Sequence, residues 1–183
     1  MADYKSVLRQ SIDIYTFNDT IGDKASKEHA SNDKRHTGDN MAIVKTASAH
    51  YQPLGKEGQG HVSLASGALS EQPYGFNTRF EDKPGTNPEE MIAGAHASCY
   101  AMALSFALAD AGYDSGELKV DAEVTLEKDG DGFAVTRSAL TLDAKVSGID
   151  ESEFSSIAKD AKENCPISKL LKAEITLDYN FSN

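Results

Sequence analysis

The 183-residue chain is long enough to bury one domain core without disulfide or metal staples. Its 18 Lys and Arg against 29 Asp and Glu give a formal charge of -11 with no basic run, which argues against phosphate backbones and anionic lipid as partners. Two cysteines are too few for a secreted disulfide framework, and Met1 to Gln10 lack the apolar run of a secretory signal, so a cytoplasmic protein is expected.

Residues 1–40 are dominated toward their end by Ser, Asn, Asp, Lys and His with no sustained apolar period, and read as a disordered extension. A second methionine, Met41, marks where ordered patterning begins, so residues 41–183 form the expected domain. Short strands are predicted over 43–51 and 60–66, the second with Val62 and Leu64 alternating against Ser63 and Ala65. Residues 67–85, rich in Gly and Pro, read as loop or irregular edge structure that carries Arg79.

A helix then starts at Asn87 as N-cap, with Pro88 at its first position, Glu90 at the capping-box position and Gly112 past its end. From Met91 to Ala109 it has no charge on any side. That length alone would make a membrane span, but the stretch is rich in Ala, Gly and Ser and contains His96, which favours a buried helix. A helix apolar all round must be covered all round, which points to subunit packing across it.

Residues 118–127 alternate strictly and predict a strand; after a turn at 128–132 a second strand returns over 133–146. Its apolar parity switches from odd (Phe133, Val135) to even (Leu140, Leu142), predicting a bulge near Ser138. Asp150 and Glu153 form a second capping box before a helix with the stripe Phe154, Ile157, Ala158 and Ala161. Asn164-Cys165-Pro166 breaks it and opens a short third helix to about Lys172, and alternation from Ile175 to Phe181 gives a closing strand. Strands with inserted helices and no regular strand-helix repeat favour an α+β fold on an antiparallel sheet.

Cys99 lies about eleven residues into the apolar helix, where a cysteine reads equally well as a small buried hydrophobe. Cys165 directly precedes Pro166 at a helix N-terminus, where backbone N–H groups stabilise a thiolate. His96, three residues before Cys99, invites a zinc reading, but two cysteines and one histidine lack a fourth ligand. His50 and His61 fall in predicted strands with no acidic partner and read as surface or structural residues.

Three segments carry a resemblance: residues 73–80 (PYGFNTRF); residues 85–90 (GTNPEE) with 95–99 (AHASC); and residues 164–168 (NCPIS) with 171–177 (LKAEITL). In this order and spacing the chain from Met41 to Asn183 resembles the OsmC branch of the OsmC and organic hydroperoxide resistance family. The resemblance implies an antiparallel sheet around a long buried central helix and an intertwined homodimer with two active sites at the subunit interface. It also implies a thiol peroxidase that defends against oxidative or osmotic stress. Carried over by position, Cys99 becomes the peroxidatic cysteine, Cys165 the resolving one, Arg79 the activating cation and Glu89 the carboxylate that holds that arginine. Choosing Glu89 over Glu90 also has a physical basis, since Glu90 is occupied at the helix start; the alternative is that Glu89 only complements the helix dipole.

An unperturbed thiol is only about 3 per cent ionised at neutral pH, and burial lowers that fraction. Lowering its pKa by about three units gains about thirtyfold in thiolate, most of which falling nucleophilicity cancels. The arginine must therefore also orient the peroxide and stabilise the leaving alkoxide. The implied cycle forms a Cys99 sulfenic acid, then a Cys99–Cys165 disulfide. No metal or organic cofactor is needed; an external dithiol reopens the bond, and the resemblance implies a lipoyl-bearing protein. Tyr74, Phe76, Phe80 and Ile167 line an apolar pocket for organic hydroperoxides or are ordinary core. Two other readings keep the same fold: a non-catalytic small-molecule binding module, and a redox sensor that oxidises stoichiometrically.

Overall fold

The fold was obtained as a computed structural model that describes residues 42–183. The expected extension over residues 1–40 and the start at Met41 lie outside the described residues.

Three antiparallel strands, β1 (Ala47–Gln52), β2 (Gln59–Leu64) and β3 (Gln72–Gly75), form a first sheet in the order β1-β2-β3. The strand β3 lies at the sheet's edge, within the stretch expected to be loop or irregular edge structure. Pro73 sits opposite His61 on the sheet's edge, where a residue without an N–H is tolerated. Helix α1 (Phe76–Phe80), which was unforeseen, follows at once. It is fastened by Thr78, whose Oγ1 accepts the Gly75 N–H at 2.9 Å and whose hydroxyl donates to the Thr86 carbonyl at 2.7 Å.

The expected long helix is α2 (Pro88–Asp110). Asn87 caps it, accepting the Glu90 N–H at 2.8 Å. Glu90 does not return the favour, as a full capping box requires; its carboxylate instead accepts the Thr86 hydroxyl at 2.9 Å. At the other end Gly112 (φ 97°) sends its N–H to the Ala109 carbonyl while Tyr113 bonds the Leu108 carbonyl. This is a Schellman stop, and it needs the left-handed conformation glycine adopts freely.

Strands β4 (Gly116–Asp129) and β5 (Gly132–Val146) make the predicted hairpin. Its register shifts opposite Thr125 and Leu126, leaving Thr136 as the extra residue, two positions before the expected Ser138. Helices α3 (Glu151–Asn164) and α4 (Pro166–Leu170) lead to β6 (Glu174–Ser182), which pairs with β5 in parallel. The second sheet, β4-β5-β6, is therefore mixed rather than purely antiparallel. Two helices between β5 and β6 supply the long crossover that a parallel neighbour needs.

Helix α2 buries one stripe, His96, Tyr100, Leu104 and Leu108, spaced four apart, against the second sheet and α3. The other walls of this core are Leu140, Leu142, Ala144 and Val146 on β5 and Phe154, Ala158 and Ala161 on α3. Each fully buried aliphatic side chain here contributes on the order of 1.5–3 kcal/mol. The expectation that α2 is covered all round does not hold within one chain, where Gly94, Ala95, Ser98 and Met102 face outward. By length and composition α2 could also cross a membrane, yet its buried stripe marks it as the core helix of this fold. The first sheet contributes only Val62 to the buried apolar set.

Candidate active site

The turn of α1 and the cap of α2 together place Arg79 beside Glu89. The Arg79 Nε donates to Glu89 Oε2 at 2.9 Å, and Nη2 donates to Glu89 Oε1, a two-pronged ion pair. The Glu89 side chain is 12% exposed and the Arg79 side chain 32%. The guanidinium also lies 5.3 Å from the centre of the Phe80 ring, which in turn packs against Phe133 at the tip of the β4–β5 hairpin. Glu89 is the partner, as expected, but the reason differs: Glu90 is occupied by Thr86 and not by the helix start.

The two cysteines, 66 positions apart, meet between α2 and the α3–α4 junction. Both are free thiols, and their side chains lie close enough for each to shift the other's pKa. Cys165 is fully buried, whereas Cys99 is partly open. Cys165 stands at the end of α3 and the start of α4 because Pro166 cannot continue the first helix and suits the first position of the second.

Their environments push the two thiols apart. Burial raises the Cys99 pKa, and donating its proton toward the Cys165 sulfur raises it further; the Ile167 backbone N–H acts in the opposite sense. Burial works against ionisation of Cys165 as well. There, however, the backbone N–H groups of Ser168 and Ile167, the Cys99 thiol and the Ser168 hydroxyl converge on the sulfur and hold it below the ordinary thiol value.

Within one chain the structure does not bring the Arg79–Glu89 pair to Cys99. Ten helical residues, about 15 Å of rise, separate Glu89 from Cys99. The groups that act on the Cys99 thiol are Cys165 and the Ile167 backbone. Of the four aromatic or aliphatic pocket residues, Ile167 packs beside the cysteines, while Phe76 and Phe80 stack together near Arg79 and Tyr74 packs on Tyr51.

One feature of the site escaped the sequence reading. His96 is completely buried, with Nδ1 at 2.7 Å from Ser138 Oγ and Nε2 at 2.9 Å from Ser168 Oγ. Both ring nitrogens are thus occupied by serine hydroxyls, and no group of three or more His, Cys, Asp or Glu side chains suited to a metal stands among the described residues. The signal was present as two polar residues on apolar faces. His96 keeps the four-residue spacing of Tyr100, Leu104 and Leu108, and Ser138 keeps the parity of Leu140 and Leu142.

A family model described as "OsmC-like protein" matches residues 80–180. Over 143 residues the chain is 50% identical to "Peroxiredoxin OsmC" of Escherichia coli strain K12, spanning 78% of this chain and all of that protein. Among solved structures, that of the organic hydroperoxide resistance protein OhrB of Bacillus subtilis superposes with a TM-score of 0.54 at 24% identity, covering 75% of this chain and 98% of the other. An OsmC-like protein from Mycoplasma pneumoniae reaches a TM-score of 0.61 at 12% identity over 78% and 100% of the two chains, a likeness of fold alone. Sequence likeness over the whole length of one relative and a shared architecture with the others agree: the chain belongs to the OsmC-like protein family.

Proposed function

We propose that this chain is a peroxiredoxin-type enzyme that reduces organic hydroperoxides to alcohols, with Cys99 as the attacking thiol and Cys165 as the resolving one. The observation that carries the reading is the meeting of the only two cysteines as free thiols close enough to shift each other's pKa. The relatives named as a peroxiredoxin and as organic hydroperoxide resistance proteins support the same chemistry. Exposure favours this order of roles, because a peroxide can approach the partly open Cys99 but not the fully buried Cys165.

The Cys99 thiolate attacks the distal peroxide oxygen, the O–O bond breaks, and the alkoxide takes up a proton to leave as the alcohol. Cys99 is left as a sulfenic acid. The Cys165 thiolate, whose formation its ring of donors favours, then attacks the Cys99 sulfur and expels hydroxide, which leaves as water. An external dithiol, of the lipoyl type in this reading, reduces the disulfide. A cytoplasmic setting, where thiols are kept reduced, suits this cycle.

Among the described residues no cation acts on Cys99, and a homodimer supplies one. If two copies of α2 cross antiparallel about a two-fold axis at Gly94, residue 89 of one faces residue 99 of the other, since 94 lies midway between them. Gly94 suits that axis: it is exposed, carries no side chain, and nothing lies within 4 Å of where a Cβ would stand. The same crossing covers the outward face of α2. Each active site then takes its cysteines from one subunit and its Arg79–Glu89 pair from the partner.

The test is steady-state consumption of cumene hydroperoxide with dihydrolipoamide as reductant, for the intact protein, Cys99→Ser and Cys165→Ser. Turnover abolished by Cys99→Ser supports the assignment. A folded, fully reduced protein that turns over with no dithiol rejects it in favour of a binding module; a single oxidation without turnover favours a stoichiometric sensor.

A further inference from the structure

We propose that His96 is a positioning residue for Cys165: its neutral ring, fixed by Ser138, turns the single proton of Ser168 onto the Cys165 sulfur and readies that thiolate to attack oxidised Cys99. This rests on the reading of Cys165 as the resolving thiol.

Four groups lie in series. Ser138 Oγ is 2.7 Å from His96 Nδ1, His96 Nε2 is 2.9 Å from Ser168 Oγ, and the Ser168 hydroxyl, three residues after Cys165 on α4, is near enough to act on its thiol in the sense that favours the thiolate. They come from four separate elements, β5, α2, α4 and the α3–α4 junction, so the series is built by the tertiary fold. His96 and Ser138 are fully buried, and a polar series in such a setting is stable only if its protons find acceptors.

That requirement fixes the direction. A neutral imidazole has one N–H donor and one acceptor nitrogen. With the proton on Nε2, Ser138 donates to Nδ1, Nε2–H donates to Ser168 Oγ, and the Ser168 proton points at sulfur. Every proton of the series is then used, and the sulfur receives a donor suited to its thiolate. With the proton on Nδ1, the series reverses: Ser138 becomes an acceptor whose own buried proton has no acceptor in the series, and Ser168 can only accept from a Cys165 thiol. The first arrangement avoids the cost of an unsatisfied buried donor. Burial keeps His96 below its usual pKa, consistent with a ring that stays neutral. The other titratable groups facing Cys165 are Cys99 and Tyr100 on α2, and burial holds the Tyr100 phenol far above neutral pH.

The proposal is tested in a Cys99→Ser background, where Cys165 is the one thiol left, by titrating its thiolate through ultraviolet absorbance. His96→Leu is expected to raise the midpoint by about one pH unit, the effect of losing one hydrogen bond to a charged group. Ser138→Ala, which touches Cys165 only through His96 and Ser168, should raise it by less and leave the fold intact. His96→Gln, which keeps an N–H donor, should restore most of the shift. In the two-cysteine protein, disulfide closure after one equivalent of hydroperoxide should slow about threefold to tenfold with the midpoint. Unchanged midpoints in both His96→Leu and Ser138→Ala overturn the proposal, as does a His96→Leu shift that Gln fails to restore. The titration uses no peroxide, so an unaltered protein that reduces no hydroperoxide rejects the peroxidase reading while His96 is still decided.

Discussion

Two inactive variants should restore each other. Within one chain the Arg79 guanidinium is held by two bonds to Glu89, and Glu89 stands about 15 Å of helical rise from Cys99. An arginine so anchored cannot also reach the thiol of its own subunit. Its removal in Arg79→Met should nonetheless lower kcat/KM about 10²- to 10³-fold, the usual cost of deleting one group aimed at developing negative charge. Cys99→Ser should be inactive outright. When Arg79→Met and Cys99→Ser are co-expressed with different tags, half of the randomly assembled dimers carry one of each. If Arg79 serves the partner's thiol, each such dimer has one site with both groups intact and one with neither. About a quarter of the sites in the unfractionated mixture, or half in the doubly tagged fraction, should then be active. Hydroperoxide consumption by the doubly tagged fraction measures this directly. If Arg79 acts within its own chain, every site in the mixed dimer is defective. Doubly tagged dimers as inactive as either parent, or an Arg79→Met protein with full activity, refute the shared site.

Further outcomes follow from packing, backbone and charge. Leu104→Ala removes a fully buried side chain of the α2 stripe and should lower stability by about 2–5 kcal/mol in urea unfolding. Gly85 has φ 145°, and a Cβ there would stand 2.6 Å from Thr78 Cγ2 and 2.7 Å from the Pro73 carbonyl. Gly85→Ala should therefore loosen the tie between α1 and the start of α2, lowering both the melting temperature and kcat/KM through misplaced Arg79. In Cys99→Ser, Cys165 is the one thiol left to titrate. A thiol depressed in the folded state adds stability that is fully present above its unfolded value, near 9.0, and is lost as pH falls through the lower folded value. The urea midpoint of Cys99→Ser, measured against Cys99→Ser/Cys165→Ser, should accordingly rise between neutral pH and about pH 9.

The elements legible in the sequence were those governed by one strong local rule. Asn87-Pro88 and Gly112 bounded α2, and strict alternation drew β4 and β5, because caps and the period of two act over a few residues. Strand β3 was legible only as loop or irregular edge structure, and helix α1 not at all, for the complementary reason. Gln72-Pro73-Tyr74-Gly75 has weak strand preference, and it is a strand because Val62, His61, Gly60 and Gln59 offer it a neighbour. The parallel sense of β6 was equally invisible, since alternation reports which face is buried and not which way the chain runs. Pairing Arg79 with Glu89 was reached on the expectation that Glu90 serves the helix start, whereas Thr86 is what occupies it.

The chemistry divides along the same line. The backbone donors that depress Cys165 follow from sequence, because Pro166 starts a helix whose first N–H groups face the preceding residue. His96 lies beyond such reasoning: a buried histidine on an apolar stripe says only that partners exist, and Ser138 and Ser168 become those partners through the approach of β5 and α4 to α2. Activation of Cys99 lies one level further out. Burial and the Cys165 side chain both raise that thiol, so a single folded chain favours ionisation of Cys165 over Cys99, the wrong order for the first step. A cation from a second copy of α2 would correct this, while Cys165 is prepared in advance by its own chain. Such a division ties attack on peroxide to assembly and leaves resolution to the subunit, so conditions that separate the subunits should abolish sulfenic acid formation before they disturb the Cys165 titration.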